Sequence, residues 1–284
     1  MAIARPLRSV LYIPGSKPRA LDKARGLPVD AIIFDLEDAV APDEKAEARD
    51  TLAAALDTGG YGARMKIVRI NGFDTDWGRD DALAAKAMGA DAVLLPKVSQ
   101  PDDLTELAAL TGDVPLWAMM ETALGMLNAA QTAMHPMLGG MVMGTNDLAK
   151  ELQGRARADR LPLQAGLGLC LLAAKAHGLA IIDGAYNAFK DDDGLAAECE
   201  QGRDMGFDGK TLIHPAQIDI ANAAFSPSED EVALARRQIE AHQAAEAAGQ
   251  GVAVVDGRIV ENLHIVTARE TLAKADAIAA MQEG

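Results

Sequence analysis

Eight short apolar segments alternate with segments rich in alanine and leucine along the first 225 residues of the chain. Each apolar segment has five to seven residues, often β-branched, and lacks strict polar alternation. This pattern is typical of strands that are buried on both faces, as in a parallel sheet. The eight segments span residues 8–13, 30–36, 66–71, 91–96, 115–120, 140–145, 179–183 and 209–214.

The segments between these strands are dominated by the strong helix formers Ala, Leu, Glu and Lys. Eight strand–helix repeats predict an α/β fold of the (β/α)8 class, a TIM barrel, whose usual size is about 250 residues. The alternative, a doubly wound open sheet, is disfavoured by the strand count and by the lack of a GxGxxG turn after the first strand. We expect helices over residues 42–56, 77–88, 101–110, 124–134, 161–177 and 194–205.

Residues 226–284 do not continue this alternation. A charged helix is expected over 228–248, because Ser228 is a good N-cap and three acidic residues follow it. A hairpin is expected over 251–260, with its turn at Asp256-Gly257, and a last helix over 263–281. We therefore predict a barrel over 1–225 and an extension over 226–284 in the same domain. The extension is either a packing arm or a cover over an active site.

The charge balance narrows the classes of partner. The chain has 27 Lys and Arg against 42 Asp and Glu, a formal net charge of −15. Nucleic acids and anionic membranes are therefore disfavoured as partners, because both are bound through basic surfaces. Two cysteines, Cys170 and Cys199, are too few for a disulfide framework or a structural zinc site. The sequence shows no membrane-spanning stretch and no signal-peptide pattern, so a cytoplasmic location is expected.

Polar residues follow nearly every predicted strand. The carboxyl ends of barrel strands meet at one mouth, where the active sites of such barrels are built. We therefore expect these side chains to form one site that is rich in carboxylates. In chain order they are Ser16, Lys17 and Arg19; Asp35, Glu37 and Asp38; Arg69 and Asn71; Lys97; Glu121; Asn146 and Asp147; Asp183; and His214.

Carboxylates at this density repel one another unless a cation lies among them. The sequence has no histidine or cysteine cluster there, so oxygen ligands favour Mg²⁺, with Mn²⁺ as an alternative, over zinc. Because Mg²⁺ usually takes one or two protein carboxylates, we predict Glu121 and Asp147 as its direct ligands. Glu37 and Asp38 would then hold metal-bound waters. The alternative is that single acids in this set only cap helices.

Three groups of basic and polar residues are candidates for binding an anionic substrate. Arg69 lies inside the apolar segment IVRIN, and a buried arginine requires an anionic partner. It is either a structural ion pair or a stabiliser of an oxyanion that develops on a carbonyl oxygen. The same alternatives apply to Lys97. Ser16, Lys17 and Arg19 lie in a glycine-containing loop at the start of a helix, a place that suits phosphate.

Eight strings at the predicted strand ends and in the hairpin form one pattern: RSVLYIPGSKPRALDKA, DAIIFDLEDAVAPDEKAEAR, VRINGFDTDWGRDD, AVLLPKV, METALGMLNA, GTNDLAKEL, GFDGKTLIHPAQI and VAVVDGRIVE. With this pattern the chain resembles a known family, the HpcH/HpaI aldolases and citrate lyase beta subunits, which includes malyl-CoA lyase. The resemblance extends from about Arg8 to the last helix. The strings MVMGTNDLAKEL and AGLGLCLLAAKAHGLAIIDGAYNAF are most similar to its (3S)-malyl-CoA thioesterase branch.

The resemblance implies a TIM barrel that binds Mg²⁺ and a short acyl-CoA thioester. It also implies a homotrimer or homohexamer in which the extension of one subunit closes over its neighbour's site. One departure is Asn146, where relatives often have an acidic residue, so one negative charge beside the metal is missing. The implied roles are metal ligands for Glu121 and Asp147, enolate or oxyanion stabilisation for Arg69, CoA phosphate contacts for Ser16, Lys17 and Arg19, and a catalytic acid of the lid for Asp256.

Three functions are compatible with this resemblance. The first is hydrolysis of (3S)-malyl-CoA to malate and CoA. The second is C–C cleavage of malyl-CoA, beta-methylmalyl-CoA or citramalyl-CoA to acetyl-CoA or propionyl-CoA and a 2-oxo acid. The third is a citrate lyase beta-type subunit that works with an acyl carrier protein. The complete ligand set and the lid residue Asp256 disfavour the third.

Overall fold

Eight parallel strands close into a barrel in the computed structural model, which describes residues 5–250 and 252–283. Each strand pairs with the next in sequence, and β8 returns to pair with β1. The (β/α)8 prediction is therefore confirmed, with each predicted strand in place to within two or three residues at its ends. The strands are β1 (Ser9–Pro14), β2 (Ala31–Asp35), β3 (Met65–Arg69), β4 (Ala92–Leu95), β5 (Leu116–Met120), β6 (Leu138–Met143), β7 (Ala180–Asp183) and β8 (Gly209–Leu212).

The strands alternate between two apolar layers. Side chains such as Ile33, Ile67 and Val142 fill the barrel interior, and their sequence neighbours pack against the surrounding helices. Because both faces are buried, the strands read as continuous apolar runs rather than as alternating ones. The register brings Asp35 of β2 level with Arg69 of β3, so that the two charged side chains share the mouth of the barrel.

Ten α-helices surround the barrel in the described part of residues 7–225. The helix expected over 124–134 is wrong as one element, because it consists of two short helices joined at Asn128. The Asn128 backbone leaves the helical region, and its Nδ2 donates to the Ser99 carbonyl oxygen at 2.8 Å. The helices are α1 (Pro18–Ala24), α2 (Lys45–Thr58), α3 (Gly78–Ala87), α4 (Pro101–Thr111), α5 (Ala123–Leu127), α6 (Ala129–Ala133), α7 (Thr145–Glu151), α8 (Gln164–Ala176), α9 (Asp192–Met205) and α10 (Ile218–Ala224).

A buried group of charges joins β7 and β8 to α9, and we call it the β7–β8 ionic cluster. The carboxylate of Asp183 accepts from Arg160 Nη1 at 2.7 Å and from Lys210 Nζ at 3.0 Å. Lys210 Nζ also donates to Glu198 on α9 at 2.6 Å. Asp183, which the sequence places at the mouth, thus turns its carboxylate toward α9 instead, because two buried cations hold it there.

The chain beyond Phe225 forms a second compact unit, with helix α11 (Glu229–Ala247), strands β9 (Ala253–Val255) and β10 (Arg258–Val260), and helix α12 (Asn262–Glu283). Ser228 caps α11 as predicted, with its Oγ accepting from Glu231 N at 3.2 Å. The predicted hairpin is present, and its turn places Asp256 and Gly257 at positive φ (50° and 75°), as a two-residue turn requires. The assignment of residues 226–284 to the barrel's domain stays a prediction.

None of the helices in the described ranges combines the length and the hydropathy that are needed to cross a bilayer.

Candidate active site

A cavity of about 370 Å³ opens among side chains from the mouth of the barrel. It collects six of the residues predicted at the mouth, from β2 and β3 and from the segments after β2, β5 and β6. They are Asp35, Asp38, Arg69, Glu121, Asn146 and Asp147. The strand ends therefore bring together residues that are more than 100 positions apart in sequence, as the barrel topology predicts.

Arg69 is the centre of the charge network in this cavity. Its Nε and Nη2 donate to the two carboxylate oxygens of Asp35 at 2.7 and 2.6 Å, a two-point pairing that fixes the plane of the guanidinium. Its Nη1 lies 2.9 Å from Glu37 Oε2 and 3.6 Å from Asp38 Oδ2. Arg69 forms a buried ion pair and also lines the cavity, so the structural role and the oxyanion-stabilising role predicted for it are compatible.

Hydrogen bonds to Asp35 and from Lys45 hold the acidic turn after β2 in place. The two carboxylate oxygens of Asp35 accept from the main-chain N–H groups of Glu37 and Ala39, at 2.9 and 3.0 Å. The buried Lys45 Nζ donates to the main-chain carbonyl oxygens of Leu36 and Glu37, at 2.9 and 2.8 Å. These bonds hold the segment that carries three carboxylates in one conformation. Lys45 was not expected in this role, because a helical lysine is usually exposed.

Glu121 follows β5 directly, and its side chain is buried. Its Oε1 accepts from the backbone N–H of Lys97 at 2.8 Å. Lys97 has a positive φ of 54°, so the turn after β4 is strained in order to present this N–H. Gly144 lies against the same carboxylate, and a Cβ there would overlap Glu121 Oε2. Burial, together with nearby Glu37 and Asp147, raises the pKa of Glu121 to about 8.

The donor set fits a hard divalent cation. Among residues 5–250 and 252–283, neither Glu121 nor Asp147 has a basic side chain within 4.0 Å of its carboxylate. The described residues also hold no group of three or more His, Cys, Asp or Glu side chains arranged for a metal. Mg²⁺ usually binds one or two protein carboxylates and completes its octahedral coordination with water and substrate, so Glu121 and Asp147 suit this ion.

The remaining predicted residues lie elsewhere in the described structure. Lys97 Nζ is 3.6 Å from Glu37 Oε1, so its side chain is paired at the edge of the network. Lys17 forms an exposed pair with Glu44 at 3.3 Å, and Arg19 is exposed. The Ser16 hydroxyl is buried and has no hydrogen-bond partner among the described residues. The lining of the cavity includes none of Ser16, Lys17 and Arg19. Asp256, in the second unit, accepts from Arg237 Nη2 at 2.8 Å.

Sequence reasoning missed the lining residue Tyr12 and the contact of Asn146 with Asn187. Tyr12 places its ring 5.0 Å from the Arg69 guanidinium, and burial raises the pKa of its hydroxyl. Side chains along β1 alternate between the barrel interior and the helices, and Tyr12 is two residues from the inward-facing Val10. This alternation could have identified Tyr12 as an inward-facing residue. Asn146 and Asn187 exchange side-chain amide hydrogen bonds of 3.3 and 2.7 Å across the rim. That contact joins segments 41 residues apart, and local sequence carries no signal for it.

Comparison with known proteins identifies the group to which this site belongs. The model of the HpcH/HpaI aldolase/citrate lyase family matches residues 8–215. The chain belongs to this family. It is therefore an enzyme of the HpcH/HpaI aldolase/citrate lyase type, and the resemblance drawn from the strand-end motifs is confirmed.

Relatives span nearly the whole chain. A (3S)-malyl-CoA thioesterase of Cereibacter sphaeroides (strain ATCC 17025 / ATH 2.4.3) is 72% identical, covering 98% of this chain and 97% of the relative. The L-malyl-CoA/beta-methylmalyl-CoA lyase of the same strain is 33% identical, covering 98% and 97%. Among solved structures, the CitE protein of Mycobacterium tuberculosis in complex with magnesium, acetoacetate and coenzyme A is 30% identical. It covers 96% of this chain and 98% of its own, with a TM-score of 0.78.

Proposed function

We propose that the chain hydrolyses the thioester of (3S)-malyl-CoA and releases malate and free CoA. The observation that carries the proposal is the 72% identity to a (3S)-malyl-CoA thioesterase over 277 residues. The cavity is compatible with this substrate, because Arg69 offers a fixed positive charge for an oxyanion and Glu121 and Asp147 offer two carboxylates for a metal ion. A short hydroxy acid with a carboxylate and a hydroxyl is a ligand that such a metal chelates.

Mg²⁺ is the cofactor of the proposal, held by Glu121 and Asp147. The CitE relative was solved with magnesium, and the donor chemistry of this cavity fits the same ion. When bound, Mg²⁺ would offset the charge of the two carboxylates and polarise the oxygens that bind to it. Mn²⁺ accepts the same oxygen ligands, and we expect it to replace Mg²⁺ in activity. We expect Glu37 and Asp38, on the turn after β2, to hold waters around the ion.

Arg69 would stabilise the negative charge that develops on the thioester carbonyl oxygen. Its guanidinium is held in place by Asp35 before the reaction begins, so little reorganisation is needed when charge appears. Tyr12 covers one face of the guanidinium at 5.0 Å and keeps it oriented. Nη1, the Arg69 nitrogen beside Glu37 and Asp38, also donates to the Met119 sulfur at 3.6 Å.

The CoA nucleotide would bind outside the cavity, at the loop before α1. Lys17, at the end of that loop, and Arg19, in the first turn of α1, are exposed cations, and the Ser16 hydroxyl has no hydrogen-bond partner in the described structure. Phosphates that bind there would displace Glu44 from Lys17, because the pair is exposed and long at 3.3 Å. We propose contacts from Ser16, Lys17 and Arg19 to the CoA phosphates on these grounds.

The second unit completes the proposal. We infer a homotrimer or homohexamer in the cytoplasm, in which Asp256 of one subunit reaches the substrate that is bound to its neighbour and accepts a hydrogen bond from the malyl hydroxyl. Within its own unit Asp256 is exposed, and among the described residues it pairs with the exposed Arg237, a contact that is easily replaced. Its position at the tip of a two-residue turn suits a residue that reaches outward.

Product analysis tests the proposal. Incubation with (3S)-malyl-CoA and Mg²⁺ should release malate and free thiol in equal amounts, with no carbonyl product trapped by phenylhydrazine. The lyase alternative is favoured by the 33% identity to a malyl-CoA lyase over nearly the whole chain. Formation of glyoxylate and acetyl-CoA in equal amounts would establish the lyase activity and rule out the proposed hydrolysis. Activity only after an acyl carrier protein is added would instead establish the carrier-dependent subunit.

A further inference from the structure

Hydrolysis of a thioester requires a group that takes a proton from the attacking water, because water itself is a weak nucleophile. Four carboxylates line the cavity, those of Asp35, Asp38, Glu121 and Asp147. Among the described residues, no histidine lines the cavity, so the base must come from this set or from a residue that moves in. The hydrogen-bond partners of each carboxylate decide which one is available.

Three of the four carboxylates are already committed. Each oxygen of Asp35 accepts from one nitrogen of Arg69 and from one main-chain N–H, so its lone pairs are engaged. Glu121 and Asp147 carry the metal in the proposed function. Glu37, the other acid of the β2 turn, does not line the cavity, and its two oxygens face Arg69 and Lys97 at 2.9 and 3.6 Å.

Asp38 differs from its neighbours in exposure and in contacts. Its side chain is 68% exposed, against 2% for Asp35 and 10% for Glu37, although all three lie within four residues. Among the described residues, Arg69 is the only one with a basic nitrogen within 4.0 Å of the Asp38 carboxylate, at 3.6 Å, which is beyond hydrogen-bond range. Asp38 therefore keeps free lone pairs and can receive a water from solvent.

Arg69 Nη1 lies beside the Asp38 carboxylate, and it is also the nitrogen that would donate to the thioester carbonyl oxygen. Nη1 lies 2.9 Å from Glu37 Oε2 and 3.6 Å from Asp38 Oδ2, and it donates to the Met119 sulfur at 3.6 Å, a weak acceptor that a thioester oxygen can replace. A thioester oxygen that accepts from Nη1 would thus bring its carbonyl carbon next to the Asp38 carboxylate. A water held by Asp38 would then lie within reach of that carbon.

We infer that Asp38 is the general base for this hydrolysis, an inference that rests on the proposed function. The Asp38 carboxylate takes a proton from water while the water oxygen bonds to the thioester carbon, and the carbonyl π electrons move to the oxygen beside Arg69. When the tetrahedral intermediate collapses, the C–S bond breaks and the CoA sulfur takes the proton from Asp38. One water is consumed, and malate and CoA thiol are released.

The test compares Asp38→Asn with Asp43→Asn in the full-length enzyme with Mg²⁺ and (3S)-malyl-CoA. Asp43 is exposed, lies five residues away and does not line the cavity, so it reports the effect of one lost charge alone. We expect kcat to fall about 100-fold or more in Asp38→Asn with KM changed less than about threefold, and no change in Asp43→Asn. In Asp38→Ala, added formate should restore part of kcat.

Hydroxylamine separates a base from a structural residue. It attacks thioesters without a base, so Asp38→Asn should form malyl hydroxamate at a rate within about threefold of wild type. The inference is overturned if Asp38→Asn hydrolyses malyl-CoA at the wild-type kcat. It is also overturned if hydroxylaminolysis falls as far as hydrolysis and formate restores nothing. A wild-type enzyme that yields glyoxylate overturns the proposed function as well, whereas the outcomes for Asp38 variants of a working hydrolase bear on Asp38 alone.

Discussion

At the scale of single residues, Arg69 connects the buried network to the cavity. One side of its guanidinium is fixed by Asp35, and Nη1 extends toward the acids of the β2 turn. A lysine could keep the charge but not the two-point pairing, because an ammonium group is a single point of charge. The role of Arg69 thus depends on the planar shape of its side chain as well as on its charge.

Arg69→Lys should lower kcat about 100-fold to 1000-fold while circular dichroism stays unchanged, since the oxyanion loses a donor that is oriented in advance. Arg79→Lys, at an exposed arginine on α3, is the matched control and should leave kcat unchanged. Steady-state kinetics on malyl-CoA provide the measurement. A kcat within threefold of wild type in Arg69→Lys would mean that the arginine serves only the fold.

The two predicted metal ligands give the second prediction at this scale. Glu121→Ala and Asp147→Ala should each abolish Mg²⁺-dependent turnover, because each variant leaves the ion with one of its two proposed carboxylate ligands. Asp113→Ala, at an exposed turn, is the control. Turnover should be measured with Mg²⁺ and with EDTA, beside isothermal titration of Mg²⁺. Full wild-type activity in EDTA would show that turnover does not depend on a bound metal ion.

At the scale of elements, the β7–β8 ionic cluster ties two strands to α9. Asp183 and Lys210 are both fully buried, and Arg160 reaches them from the segment between α7 and α8. Burial opposes ionisation of Asp183, but Lys210 and Arg160 outweigh it and hold the pKa of Asp183 below its usual range. The cluster therefore stabilises the fold while Asp183 is charged.

Asp183→Asn should lower the free energy of unfolding by about 3–5 kcal/mol at pH 7, because two buried cations lose their partner. A group whose pKa is lowered in the folded state stabilises above its unfolded pKa of about 3.9, and this stabilisation is lost as the pH falls. The difference between variant and wild type should thus shrink as the pH falls below about 4. Urea unfolding at several pH values measures it, with Asp204→Asn as an exposed control on α9. A pH-independent difference would contradict the prediction.

The elements also show how far sequence reasoning reaches. The eight strands could be predicted because each is an apolar run, and the acids of the mouth because they follow strand ends. The break at Asn128 could not, since it depends on a bond to Ser99, 29 residues away. The support from Lys45 and the rotation of Asp183 toward α9 were missed for the same reason. Local pattern fixes where strands end, whereas the direction of a polar side chain depends on partners that are distant in sequence.

At the scale of the whole molecule, the proposal joins two units through neighbouring subunits. Asp256→Asn should lower kcat about 100-fold or more with KM for malyl-CoA changed less than threefold, because the malyl group loses a contact that orients it for attack while the groups that bind CoA are kept. Glu240→Gln, an exposed acid on α11, is the control. Normal turnover in Asp256→Asn would show that the hairpin has no catalytic role.

Subunit exchange gives a second prediction at this scale. Glu121→Ala and Asp256→Asn should each be inactive alone, but co-expression should restore activity. In a randomly mixed oligomer, half of the barrels are intact, and half of those receive an intact hairpin from a neighbour. About a quarter of the wild-type activity is therefore expected. If Asp256 instead served its own subunit's barrel, mixing would restore none.

The central claim is that water attacks the malyl thioester directly at the barrel mouth. The most direct measurement is mass spectrometry of the products formed from (3S)-malyl-CoA and Mg²⁺ in ¹⁸O-labelled water. We predict malate with one ¹⁸O in the carboxyl group derived from the thioester, released with an equal amount of CoA thiol. Glyoxylate accompanied by acetyl-CoA, with no labelled malate, would contradict the account.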